Sequence, residues 1–207
     1  MHTTTKIRII ESAIQLFNEH GLANVRLQQI ADDAGISVGN LAYHFKNKEA
    51  IVLAVYESLF QEFAQILTHY LQQPSLADLE QQLDLYYTFF SKYRFYLIDL
   101  FEARRSCPQV VSQWQLFVSK MTLQIRKRLD YCTQRGLITP EPAPGAYDTL
   151  TNNIWMTIVF WVPQQVLRGL PLHRNQFKCA VWGQISPYFT PKGRDELNLI
   201  LAAQHVG

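Results

Sequence analysis

Apolar residues recur with a helical period in two short sets between residues 27 and 45. Leu27, Ile30, Ala31 and Ala34 fall at i, i+3, i+4 and i+7, and Val38, Leu41, Ala42 and Phe45 repeat that spacing. Each set lines one face of an amphipathic helix. Neither segment is long enough to hold its shape alone in water, so the two must pack on each other and on a third element. Gly35 lies between them. Glycine accepts positive φ without steric cost, so it can end one helix and turn the chain sharply. Ser37 then offers a hydroxyl to cap the second helix. A turn this short makes the helices cross steeply, which is a helix-turn-helix arrangement.

The third element is predicted at residues 3–20, striped by Ile7, Ile10, Ile14 and Phe17 and stopped at Gly21. Residues 1–48 then form a three-helix unit with a small core of Ile10, Ile14, Phe17, Leu27, Ile30, Leu41 and Phe45. Residues 49–207 continue as helices. A long one runs from Lys48 to about Gln72, broken at Pro74-Ser75. Others span Ser75–Ser91, Phe95–Arg105, Gln109–Arg135, 146–169, 173–187 and about 191–204. Pro163 should bend the helix that contains it, and the proline-rich stretch 139–145 is a rigid loop. No strand-type alternation stands out. The expected fold is all-α: an N-terminal three-helix unit of helix-turn-helix type over residues 1–48, followed by a C-terminal helical domain over 49–207.

The polar side of the second short helix carries the candidate chemistry. With the apolar set turned inward, Ser37, Gly39, Asn40, Tyr43 and His44 face outward. Asn reads adenine edges in a major groove, while Ser, Tyr and His reach phosphates or bases. Lys46 and Lys48 stand near the helix end, and Asn47 is placed to cap the next helix, whose first N–H groups and Lys48 could hold a phosphate. Arg26, Gln28 and Val38 complete the candidate DNA-contact set. The bland alternative is a helical hairpin with a solvated face.

Charge tempers this picture. Residues 1–48 hold five Lys/Arg against four Asp/Glu, a net charge of +1, and the whole chain carries +2. Binding must therefore come from locally placed cations and from doubling of the unit, and it should be salt-sensitive. At 207 residues, 48% hydrophobic and 17% charged, the chain can bury a sizeable core and does not read as disordered. The N-terminus lacks a signal-peptide apolar region, and the purely apolar runs are too short to span a membrane, so a cytoplasmic protein is expected. Cys107, Cys132 and Cys179 are scattered and show no CxxC spacing, which fits a reducing compartment and no metal site. The six histidines fall in no HExxH pattern, and neither GxSxG nor a phosphate-cradling glycine loop occurs, so no catalytic residue or cofactor is assigned.

Several residues of this pattern together resemble the tetracycline-repressor-type (TetR) family of transcriptional regulators. They are Ile14 through Phe17, Gly21, Ile30-Ala31, Ala34 through Ser37, Gly39, Leu41, His44-Phe45 and Lys48-Glu49. The likeness covers about residues 3–56. The family usually has Tyr where this chain has Ala42, with Tyr43 next door here. It tends to start the helix before the turn with Thr or Ser, where Val25-Arg26 stand; either Arg26 meets a phosphate or Asn24 caps an earlier start. The resemblance implies a ligand-responsive repressor acting as a homodimer on a palindromic double-stranded operator, with no membrane partner. It also implies that the last two long helices pack as a four-helix dimer interface.

Two features of residues 49–207 bear on that expectation. Aromatic residues crowd between 86 and 161. The bland reading is core packing; the sharper one is an apolar pocket for a small effector. The candidate lining is Tyr86, Phe90, Phe101, Glu102, Trp114, Phe117, Met121, Trp155 and Val159. Asp99 and Glu102 near Arg104 and Arg105 read as surface ion pairs, unless Glu102 faces the pocket and favours a cationic or hydrogen-bonding ligand. The segments IWMTIVFWV (154–162) and FKCAVWGQI (177–185) are apolar nearly all round. The expected dimer contacts are Ile154, Ile158, Trp161, Phe177, Val181, Trp182 and Ile185.

Overall fold

The computed structural model describes residues 4–69, 74–98 and 108–204. Its elements are α1 (Thr5–His20), α2 (Leu27–Asp33), α3 (Val38–His44), α4 (Lys48–His69), α5 (Leu76–Lys92), α6 (Arg94–Ile98), α7 (Pro108–Gln134), α8 (Ala146–Leu167), α9 (Arg174–Ile185), a 3-10 turn (Ser186–Tyr188) and α10 (Pro191–Gln204). Among the described residues the only strand-like pairing is an isolated antiparallel bridge between Ile138 and Phe189. The all-α expectation holds, and most helix ends fall within two residues of their expected places. α8 runs on through Pro163.

The described residues fall into two compact units, one within 1–63 and 92–113, the other within 64–91 and 114–207. The expected boundary at residue 48 thus lies inside the first unit. α4 explains the difference: its inward residues Ile51, Val55, Leu59 and Phe63 are completely buried, so most of it is a core helix of the first unit, while its residues from Ala64 on fall in the second. By length and mean hydropathy (1.3) Lys48–Thr68 could cross a membrane. The burial of that apolar face within the fold is what a core helix shows. Aromatic rings knit the unit together. Phe17 of α1 meets Phe95 of α6 edge-on at 5.5 Å, and Tyr56 of α4 meets Tyr96 of α6 at 5.4 Å.

The stripe on α1 is not the expected one. Ile9, Ala13, Leu16 and Phe17 point inward, while Ile7 is 46% exposed and Ile10 only half-buried. Ile14 and Phe17 are buried as expected. Ile7 lies in the first turn of α1, where the helix overhangs the small core. Val25, just before α2, is buried in place of Leu27, which is half-buried.

In the second unit α5, α7, α8 and α9 enclose an apolar interior that also takes in the charged side chains of Glu80, Arg128 and Lys178. Glu80 of α5 is 1% exposed. It accepts from Lys178 Nζ at 2.8 Å and from Trp182 Nε1 at 2.6 Å, both on α9. Lys178 also reaches Asp84 at 2.8 Å. α10 is sutured to the α7–α8 connection: Thr190 N donates to Leu137 O (3.0 Å), Thr139 N to Tyr188 O (2.8 Å) and Lys192 Nζ to Arg135 O (2.9 Å).

Cys132 lies in this interior, and burial pushes its thiol from the ordinary 9.0 up to about 11, against the opposing pull of Arg128. As pH rises, the unfolded thiol ionises first. Between about 9 and 11 the folded chain therefore binds more protons than the unfolded one, and stability falls across that window. Cys132→Ala should flatten part of this alkaline decline. Melting temperatures of both proteins across that range test it, and parallel curves would refute it.

Candidate nucleic-acid interface

The turn between α2 and α3 is built by local chemistry. Gly35 adopts φ +64°, and a Cβ there would meet nothing, so conformation alone explains the glycine. Gly35 N donates to Asp32 O at 3.1 Å and Ile36 N to Ala31 O at 3.0 Å, closing the end of α2. Ser37 Oγ accepts from Asn40 N at 3.1 Å and caps α3. At the start of α2, Arg26 N donates to Gln29 Oε1 at 2.8 Å. Asn24 does not cap α2; its Nδ2 donates to His20 O at 2.9 Å and closes α1 instead.

α3 buries a narrow stripe. Leu41 is fully buried, Phe45 directly after the helix is buried, and Val38 is half-buried. Ala42, expected inside, is exposed. It sits about 100° around the helix from Leu41, and so short a helix presses only its 38–41–45 line onto the core. Gly39, Asn40, Ala42 and Tyr43 make up the outward face, and Tyr43 is 85% exposed. His44 is half-buried and meets the Tyr43 ring edge-on at 5.2 Å.

The flanking cations differ in their freedom. Arg26 and Lys46 are exposed. Lys48 is half-buried, and its Nζ donates to Ala23 O at 3.2 Å. Partial burial holds its pKa below the ordinary lysine range, with Glu49 opposing. Asn47 Oδ1 accepts from Ala50 N at 3.0 Å and caps α4 as expected. Gln28, exposed, donates to Asp32 Oδ1 at 2.7 Å. One cation absent from the expected set joins this region: Lys6 Nζ lies 5.5 Å from the centre of the Phe45 ring. No local pattern signals it, because only folding brings the start of α1 to the end of α3.

The expected effector residues lie mostly in packed interior. Tyr86, Phe90, Phe117, Met121 and Val159 are buried, and Trp114 and Trp155 half-buried. Phe101 and Glu102, with Asp99, Arg104 and Arg105, lie outside the described residues. Two polar atoms on one face of α8, Thr151 Oγ1 and Trp155 Nε1, are buried without a hydrogen-bond partner among the described residues. Such atoms are costly when left unmatched. A separate void of about 20 Å³, walled by residues that include Leu79, Ile125, Leu129, Cys132 and Ile154, has room for roughly one water.

The expected dimer residues Ile154, Ile158, Trp161, Phe177, Val181, Trp182 and Ile185 are all buried inside the single chain. They join α8, α9 and the unit's interior, so they are not a surface for a second copy. A helix apolar nearly all round offers no phase from which to pick its inward side. The large apolar side chains that α8 leaves outward are Met156 (52% exposed), Phe160 (40%), Val166 (37%) and Leu167 (81%).

Residues 9–55 match the family described as bacterial regulatory proteins, tetR family, and residues 58–197 match a family described as bacterial transcriptional repressor. The probable transcriptional regulator YttP of Bacillus subtilis is 29% identical over 83 residues, 40% of each chain. The probable acrEF/envCD operon repressor of Escherichia coli K12 is 37% identical over 78 residues, 38% of this chain and 29% of that one. The chain thus matches well under half the length of these curated relatives. A crystal structure of a TetR-family transcriptional regulator from Marinobacter aquaeolei VT8 superposes with a TM-score of 0.80 at 26% identity, covering 98% of both chains. SmeT, repressor of the Stenotrophomonas maltophilia multidrug efflux pump SmeDEF, shares the fold at a TM-score of 0.61 and 19% identity over 92% of each chain.

Proposed function

The chain belongs to the tetR family of bacterial regulatory proteins, and on that premise we propose that it is a cytoplasmic, homodimeric transcriptional repressor that loses or gains operator affinity when a small effector binds its second unit. The observation that carries the DNA-binding part is the outward face of α3. Tyr43, 85% exposed beside Gly39, Asn40 and Ala42 and touching only the His44 ring, contributes little to the core. Asn40 offers a donor and an acceptor to a base edge, the Ala42 methyl suits a thymine methyl, and Tyr43 reaches a phosphate. Arg26, Lys46 and Lys6 add cations at the rim. Lys48 serves best by tying α4 to the Ala23 carbonyl, with its helix start presented to a phosphate. A net charge of +1 over residues 1–48 makes a single copy a weak binder, so two copies on a palindrome are required.

For the second copy, the outward side chains Met156, Phe160 and Leu167 of α8 replace the interior residues as the pairing face. For the effector, the unmatched Thr151 hydroxyl and Trp155 indole N–H are its polar anchors, with Phe117, Met121 and Val159 as apolar wall. SmeT, which shares the fold, is known in complex with triclosan. Whatever binds must favour one of two conformations to change operator affinity.

In an electrophoretic shift with duplexes selected from a random pool, Tyr43→Ala should weaken binding about 10- to 100-fold, the worth of one good contact. Lys46→Ala should weaken it evenly across sequences and lower the salt slope by about 1. Wild-type protein that selects no sequence, or a Tyr43→Ala variant that binds equally well, would end this reading.

A further inference from the structure

We propose that a groove on the first unit, between α1 and the start of α6, binds a free basic amino acid, a small molecule with two cationic groups and one carboxylate.

The groove encloses about 300 Å³, which is the lower end of the range for small-molecule sites. All of its lining residues belong to the first unit. One wall follows from the helical period. Glu11, Gln15 and Glu19 lie at i, i+4 and i+8, so they form a single row along α1. At 1.5 Å of rise per residue the two carboxylates leave the helix about 12 Å apart, one at each end of the row. Ile14, 7% exposed, adds an apolar patch between them. The remaining charged side chains of the lining, Lys92 and Arg94, are cationic. The site is preformed. Asn18 Nδ2 donates to Lys92 O at 2.8 Å and its Oδ1 accepts from Phe95 N at 2.9 Å, so the backbone on either side of Arg94 is tied to α1.

The charges of the lining are not equally engaged. Lys92 Nζ is answered by Glu62 at 2.6 Å. Glu19 accepts from the uncharged amide of Gln15 at 3.2 Å and stands 3.8 Å from His20 Nε2, and a carboxylate has room for further donors. Glu11, exposed, and Arg94, half-buried, pair with no residue among those described, nor with each other, although they line the same groove. Opposite charges that share a groove without closing on each other leave space for a guest. Two carboxylates and one uncommitted guanidinium call for two cations and one carboxylate. A basic amino acid supplies that set. Its carboxylate suits the planar fork of Arg94, its two cationic groups suit Glu11 and Glu19, and its alkyl stem suits Ile14. A neutral zwitterion leaves one glutamate unanswered, and a diamine leaves Arg94 unanswered.

Titration calorimetry of the full chain with lysine, arginine, norleucine, cadaverine and glutamate tests this. Lysine and arginine should bind about fivefold or more tightly than norleucine or cadaverine, the worth of one exposed charge contact, and glutamate should not bind. Glu11→Gln should leave lysine no better bound than norleucine. Arg94→Gln should leave lysine no better bound than cadaverine, with cadaverine itself unchanged. Neither side chain has a described partner to lose, so both variants should melt at the parent temperature without ligand. Lysine and arginine that give no binding heat up to about 10 mM would overturn the site. So would lysine bound no better than norleucine and cadaverine by the parent chain, or bound equally well by both variants.

Discussion

Lys178→Met should lower the stability of the second unit by about 3–5 kcal/mol, the usual effect of removing one partner from a buried ion pair. Glu80 would remain 1% exposed with its charge answered only by the Trp182 indole N–H at 2.6 Å. Asp84 keeps its contact with Arg174 at 3.5 Å, so the loss falls chiefly on Glu80. Burial opposes the Lys178 charge, but hydrogen bonds to Asp84 and Glu80 outweigh it and hold its pKa above the ordinary lysine range. In urea unfolding the midpoint should drop with the slope unchanged. Lys178→Met combined with Glu80→Leu should recover much of the loss, since two apolar groups of matching size satisfy a buried site as well as a pair does. A single-variant loss below about 1 kcal/mol would show that Glu80 finds other relief.

Gly193→Ala should also destabilise, against the helix preference that favours alanine by about 1 kcal/mol. An added Cβ would stand 1.9 Å from the Leu137 carbonyl oxygen and 2.8 Å from a Phe189 ring carbon. The first obstacle is backbone and cannot swing aside, so α10 must move. That movement strains the Thr190–Leu137 and Lys192–Arg135 hydrogen bonds. A loss near the upper end of the overpacking range, about 3 kcal/mol, is expected. Thermal unfolding measures it, and proteolysis should cut first within α10. A melting temperature equal to or above that of the parent chain would show that α10 slides without cost.

What could be read in the sequence was what local chemistry decides. Gly35 and Ser37 act on their immediate neighbours, so the turn, the cap and the outward placing of Asn40 and Tyr43 were legible. The phase of α1 was not, because isoleucines at 7, 9, 10 and 14 fit more than one stripe and only the neighbouring helices choose among them. Ala42 misled for a related reason: alanine is small enough to sit on either side of a short helix. For α8 the apolar surround carried no phase at all, and the residues expected at its outer face, Ile154, Ile158 and Trp161, are buried. The clasp of Asn18 on Lys92 and Phe95, and the pairing of Glu80 with Lys178, join residues distant along the chain. No spacing rule reaches that far.

The suture of α10 to residues 135–139 sets an order of events during synthesis. The bridge of Ile138 to Phe189 and the bond from Thr139 N to Tyr188 O cannot form until residues 188–189 have left the ribosome. At about 5–20 residues per second that is a wait on the order of several seconds. Through it, α1 to α4 are already outside and able to fold, while Leu137 and Ile138, both buried in the finished chain, stand open to water. The DNA-reading part of a nascent chain is thus complete while its second unit is still unsealed. That interval is when a holdase chaperone has most to shield.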